Sequence, residues 1–301
     1  MTLEKIINFL NPISVNIISE DLIKEVKSVF DESFSHGSFG WCSDKNIDLI
    51  KEIKSGTLLI SSQAEFILKD SNTELLFNRI VVENPRKAFA SVLRTFFIEK
   101  KEFGKIYSSA TIEKSVIYNS GTINIDPNVV IEEDVIIGNY VSIGANTVIK
   151  KGTVIHDNVT IGSNCTIGGV GFGYELNDDG IYEVIPHLGN VVLKEKVEIG
   201  NNVCIDRAVL GSTILEKEVK VDNLVHISHG VFIDENSLII AHAMIAGSVQ
   251  IGKNTWVAPC SSIKQKVIVG KNVTIGLGSV VLNNIPDNQI VVGVPAKNIQ
   301  K

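Results

Sequence analysis

Between Ile125 and Val281 an aliphatic residue returns every six positions. The period runs through Ile125, Ile131, Ile137, Ile143, Ile149, Ile155, Ile161 and Ile167, resumes at Leu193, Ile199 and Ile205, and then holds from Leu215 to Val281. Four residues after each aliphatic sits a small or β-branched residue, as at Val129, Val135, Thr147, Cys165, Val219, Ala243 and Ser261. Neither a helix nor an antiparallel strand has a period of six. A hexapeptide solenoid does: each hexad makes one short strand and a corner, and three hexads close a triangular coil. The spacing predicts a left-handed parallel β-helix, each coil climbing by about 4.8 Å, the usual strand separation.

The 301 residues leave room for one solenoid and a smaller domain. Residues 1–103 lack the repeat and read as a small α/β cap domain, with the solenoid in 104–301. In the cap the sequence suggests an amphipathic segment near Leu22–Phe30, strands at Thr57–Ser61 and Ile80–Val82, and a helix Arg86–Phe97 entered through Asn84-Pro85. The charged stretch Glu99–Lys105 reads as a linker. Two interruptions break the solenoid. Residues 168–190 (GGVGFGYELNDDGIYEVIPHLGN) must leave the coil as a loop or hairpin, and Gly211–Ile214 adds a short extension. Aromatics are 6% of the chain, yet Phe172, Tyr174 and Tyr182 cluster in the first interruption, which marks it as a candidate site wall.

A net charge of −6 gives no basic field to attract phosphate backbones, which argues against a nucleic-acid partner. Cys42, Cys165, Cys204 and Cys260 are scattered and read as reduced thiols. The start MTLEKIINFLNP lacks the apolar core of a signal peptide, and no apolar run has membrane-spanning length. The expected location is cytoplasmic.

His229, in VDNLVHISHGVFI, falls beside a corner next to Gly230, so its ring is expected outside the prism. A neutral imidazole there can take a proton from an attacking amine or hydroxyl. Asp222, seven residues earlier, is a candidate orienting acid. Gly247 lies eighteen residues after His229, one whole coil, where its N–H can hold the oxyanion of a tetrahedral acyl intermediate. The alternatives are a solvated corner histidine and a turn glycine. A zinc site shared by His226, His229 and His242 is a further alternative, weakened because His242 falls at a different hexad position; no metal is expected. His156, His187 and His36 carry little signal, although His187 belongs to the inserted loop.

Several pieces share order and spacing with one family over about a hundred residues: GFGY at Gly171–Tyr174, Ile185–Gly189, Val197–Arg207, Asp222 and Asn223 with His229, and Ala246–Ser248. The chain resembles the UDP-3-O-(3-hydroxyacyl)glucosamine N-acyltransferases of lipid A synthesis. The resemblance implies that His229 is the general base, that Asp222 supports it, and that Gly247 donates to the oxyanion. It further implies that the GFGY loop lies by the active site and that three copies form a homotrimer. Phe172, Tyr174, His187 and Asn223 are then candidate substrate contacts.

The N-terminal part also resembles that family's nucleotide-binding cap, in GTLLISS and RIVVENPRKAFASVLRTFF. The family's uracil clamp of phenylalanine, asparagine and tyrosine is not reproduced: Gly40, Ser43 and Asn46 stand at its places, leaving Phe39 and Trp41 to stack on a pyrimidine. The family's second active-site histidine falls near Lys266. Its C-terminal helices, which dock acyl carrier protein, have no counterpart, and VVGVPAKNI resembles the ending of coenzyme A-dependent hexapeptide acetyltransferases, where Lys297 matches a phosphate-binding lysine. From these departures the expected donor is acyl-coenzyme A, a co-substrate rather than a bound cofactor, with Lys266 and Lys297 as its contacts. The expected reaction is N-acylation of a dTDP- or UDP-linked amino deoxy sugar for surface glycans. The alternative is the lipid A enzyme itself, with acyl carrier protein as donor.

Overall fold

The computed structural model describes residues 1–20, 22–71, 74–99 and 101–299. The chain divides into two units, Met1–Lys101 and Glu102–Lys301; the sequence reading puts that boundary after Phe103.

In the second unit the hexads form three parallel sheets, the faces of a triangular prism. One coil shows the pattern. Lys220–Val221 lies on the first face, His226–Ile227 on the second and Phe232–Ile233 on the third. The next coil repeats this in register, pairing Lys220 with Leu238, His226 with Met244 and Phe232 with Gln250. The repeated aliphatics point inward: Ile227, Ile233, Ile239, Ile245 and Ile251 are fully buried. Alternation along a strand turns the preceding residue outward, which is how this left-handed β-helix sorts core from surface.

The corners explain the other two regularities. The small residue four places after each aliphatic packs inside the bend, and hydroxyls there find carbonyl partners. Thr147 Oγ1 donates to Gly162 O, Ser237 Oγ to Gly252 O and Thr255 Oγ1 to Gly270 O. The residue three places after the aliphatic adopts the left-handed conformation, with φ near +60°. Glycine adopts it freely and asparagine tolerates it, hence Gly230 and Gly278 at some corners and Asn236, Asn254 and Asn272 at others. The asparagine amides also link successive coils, from Asn236 to Asn254 at 2.8 Å and from Asn254 to Asn272 at 3.1 Å.

The first interruption is a hairpin. The chain leaves after Thr166–Gly169, pairs Tyr174–Leu176 antiparallel with Tyr182–Val184, and returns as Asn190–Leu193 beside Val154–Ile155. The second interruption is displaced from its expected place. Ser212–Leu215 is a regular strand paired on both sides, so the extra residues bulge at 207–211.

The first unit is a five-stranded sheet in the order Ser14–Asn16, Asn78–Val81, Thr57–Ile60, Ser38–Trp41, Glu25–Val26. The Leu22–Phe30 segment supplies its edge strand Glu25–Val26. Helix Pro85–Val92 is capped by Asn84, whose Oδ1 accepts from Lys87 N at 3.0 Å, and it runs into a wider π turn at Leu93–Phe97. Phe39 is not available to a base, which corrects its assignment as a substrate contact: it is fully buried and stacked on Phe89 at 5.7 Å. Trp41 instead lines a surface cavity of about 370 Å³ with Lys27, Phe30, Ser43, Asn46 and Phe89.

Asn254→Val is expected to lower unfolding stability by about 1–2 kcal/mol relative to Asn254→Gly, since a β-branched side chain resists positive φ. Denaturant midpoints of the two variants, measured in parallel, check this.

Candidate active site

His229 sits at the corner between the second and third faces, after strand His226–Ile227 and before strand Phe232–Ile233. Its half-buried ring lies outside the prism, between core residues Ile227 and Val231. Coil stacking brings Gly247 directly beside it. A methyl group on Gly247 would stand 2.7 Å from both Cε1 and Nε2 of His229, so only glycine lets the ring lie flat there. Ser248 N donates to His229 O at 2.9 Å, which ties the two corners together. Among the described residues, the Gly247 N–H finds no acceptor within the fold. It is a free donor beside a candidate base, the geometry an oxyanion needs.

The inserted loop closes the other side of the ring. A methyl on Gly171 would lie 3.1 Å from His229 Cβ and Cδ2 and 2.8 Å from His187 Nε2. The His187 and His229 rings meet edge to face, centroids 5.4 Å apart. Phe172 and Tyr174 pack on each other at 4.9 Å, with Phe172 almost fully exposed, so they form an apolar rim rather than a core.

Asp222 does not reach His229 in the chain. It occupies the corner between the first and second faces, where its carboxylate accepts from Asn223 N at 2.7 Å and Ala241 N at 3.2 Å. Asn223 is committed to that corner too, accepting from Asn201 N at 2.8 Å. The acid beside the imidazoles is Asp206. Its Oδ2 lies 3.6 Å from His226 Nε2, and Ser228 Oγ lies 3.1 Å from the same nitrogen. Thr213 fastens this acid to the histidine corner, donating to Asp206 O at 2.7 Å and accepting from Gly230 N at 2.8 Å. The signal was in the sequence. Once the bulge is counted, Cys204 registers against His226 and Ile205 against Ile227, which sets Asp206 beside Ser228.

Burial pushes the Asp206 carboxyl above the ordinary aspartate range, against the opposing pull of His226, His229 and His187. Partial burial, with His187 nearby, lowers the His229 pKa, while Asp206 pulls it up. His229 is therefore held neutral, the state a general base requires, with an acid near enough to steady its charged form.

The remaining candidates lie apart. His242 is exposed at the Asp222 corner, its backbone N–H donating to Asn223 O at 3.2 Å, on a different edge of the prism from His229. Lys266 is exposed on the same edge as His229, its N–H on Gly247 O at 2.9 Å. Lys297 sits on the terminal strand Lys297–Asn298, paired with Ile290–Val292 at the far end of the first face, and does not join the histidines. Among the described residues no helix is long and apolar enough to cross a membrane.

A triangular solenoid carrying a neutral corner imidazole against a free amide defines an acyltransferase of the hexapeptide class. The model described as bacterial transferase hexapeptide (six repeats) matches residues 124–151 and 141–169. The chain is 37% identical to a UDP-3-O-acylglucosamine N-acyltransferase of Campylobacter lari, over 98% of this chain and 93% of that protein. It is 40% identical to a Helicobacter pylori protein of the same name, over 69% of this chain and 64% of that protein. The chain belongs to the UDP-3-O-acylglucosamine N-acyltransferase family. Among solved structures, a Francisella novicida UDP-N-acetylglucosamine acyltransferase superposes with a TM-score of 0.58 at 22% identity, over 64% of this chain and 68% of that one. That likeness concerns the fold alone.

These relatives correct the functional expectation. Their names point to UDP-3-O-acylglucosamine, the lipid A precursor that was the alternative, and not to a dTDP- or UDP-linked amino deoxy sugar for other surface glycans.

Three outcomes follow. Gly247→Ala keeps the backbone N–H but brings a methyl to 2.7 Å from the His229 ring, and the displaced imidazole should cut kcat by roughly 10²–10⁴-fold with an unchanged circular dichroism spectrum. The acid limb of kcat/KM should fall with an apparent pKa below the ordinary histidine value of about 6.5, because the ring must be uncharged to accept a proton. Asp206→Asn should move that limb lower still, since it removes the charge that raises His229; a limb that stays put or rises in a pH–rate series would contradict the assignment.

Proposed function

We propose that this enzyme transfers a hydroxyacyl group from a phosphopantetheine thioester to the amine of a UDP-linked 3-O-acylglucosamine. The observation that carries the reading is the His229–Gly247 pair, one coil apart and in contact, in a chain 37% identical to a protein named for that reaction across nearly its whole length. The amine attacks the thioester carbonyl and a C–N bond forms. His229 takes the amine proton and the Gly247 N–H holds the oxyanion. Collapse breaks the C–S bond, and the imidazolium returns its proton to the departing thiolate. Asp206 steadies the imidazolium through the step.

Acyl carrier protein is the donor proposed. Coenzyme A carries the same phosphopantetheine arm and is the competing donor; no bound cofactor takes part. Lys266, exposed on the edge that carries Gly247, is the residue proposed to meet the phosphate of that arm. The Trp41 cavity is the proposed seat of the nucleotide base. The assembly proposed is a homotrimer.

The test is hydroxyacyl-carrier protein against hydroxyacyl-coenzyme A, each with UDP-3-O-acylglucosamine and the dTDP analogue, followed by thiol release. Transfer from the carrier protein to the UDP substrate is expected to dominate, and His229→Ala should lower it by roughly 10²–10⁴-fold. Near-full transfer by that variant would overturn the mechanism.

A further inference from the structure

His187 is left idle by the reaction as written, yet it is a buried side chain packed edge to face on the His229 ring. Only 7% of its surface is exposed. Its Nδ1 lies 2.6 Å from Ile185 O. A carbonyl can only accept, so in the neutral ring Nδ1 carries the proton and Nε2 is the acceptor. That Nε2 is buried and has no hydrogen-bond partner among the described residues. Buried acceptors are nearly always paired, and an exception in a cleft marks a place where a ligand supplies the missing donor. A methyl built on Gly171 would lie 2.8 Å from the orphan nitrogen and 3.1 Å from His229 Cβ and Cδ2, so the nitrogen and the His229 ring flank the same glycine. His187 also lines an open cavity of about 510 Å³ with Lys151, Asn190 and Arg207.

We infer that His187 Nε2 accepts the second N–H of the attacking amine and so selects nitrogen over oxygen nucleophiles. This rests on the N-acyl transfer proposed above. A primary amine aims its lone pair at the carbonyl, which leaves two N–H bonds to be held. His229 removes one proton; His187 holds the other N–H without taking its proton and so sets the amine's rotation. A hydroxyl nucleophile has one O–H, already engaged by His229, and gains nothing from a second acceptor. The Ile185 contact keeps His187 in the accepting tautomer.

The experiment compares wild type, His187→Phe and His187→Gln on UDP-3-O-acylglucosamine and on the analogue with a hydroxyl in place of the amine. Phenylalanine keeps a ring against His229 and removes the acceptor; glutamine restores one. His187→Phe should lower kcat for the amine by roughly 10- to 100-fold with KM little changed, the scale of one hydrogen bond to a developing charge. Its slow transfer to the hydroxyl should stay within about threefold of wild type, and glutamine should recover most of the amine rate. Equal losses on both nucleophiles, or an amine rate that survives in His187→Phe, would overturn the inference alone. Wild type that fails to acylate the amine would overturn the reaction and the inference together.

Discussion

Strand-on-strand registry is the constraint from which the rest of the solenoid follows. Each coil hydrogen-bonds to the next at a fixed spacing, so residues at equivalent hexad positions stack in columns. One column is the aliphatic core and one is the small-residue lining of the corners. Another is the left-handed position held by Asn236, Asn254 and Asn272. Chemistry uses the same columns. Gly247 meets His229 because they share a column one coil apart, and no flexible segment is needed to bring base and amide together. A site built this way is held in place by its scaffold before substrate arrives.

The electrostatics follow from the same stacking. Asp206, Ser228, His226 and His229 come from adjacent coils at one edge, and Thr213 bridges those coils through its hydroxyl. Burial pushes the Asp206 carboxyl and the His229 imidazole toward their neutral forms, and the attraction between their charged forms opposes this. The result is a candidate base that favours its uncharged form and has a partner once protonated.

The prism was legible because a six-residue period has a single structural solution, and the histidine corner and its glycine follow from one coil length. The acid was not, because a fixed coil length fails where the chain bulges at 207–211 and lengthens the path from Asp206 to His229. Asp222 looked suitable on sequence distance, yet seven residues carry the chain around a full corner of the triangle to another edge. Phe39 misled for a different reason: it shares a strand face with Trp41, and only the packing of Phe89 from helix Pro85–Val92 shows which aromatic is core. The sugar was misjudged from a short departure in the cap, where Gly40, Ser43 and Asn46 carry little physical content.

The hairpin's route has a consequence of its own. The chain departs at Gly169 and rejoins at Asn190 with Leu193 back in register against Ile155. Its length and composition are thereby uncoupled from the geometry of the prism. Variation in that arm can reshape what the cleft admits while the folding problem stays the same, a modularity that lets one rigid scaffold diversify its clientele without renegotiating its stability.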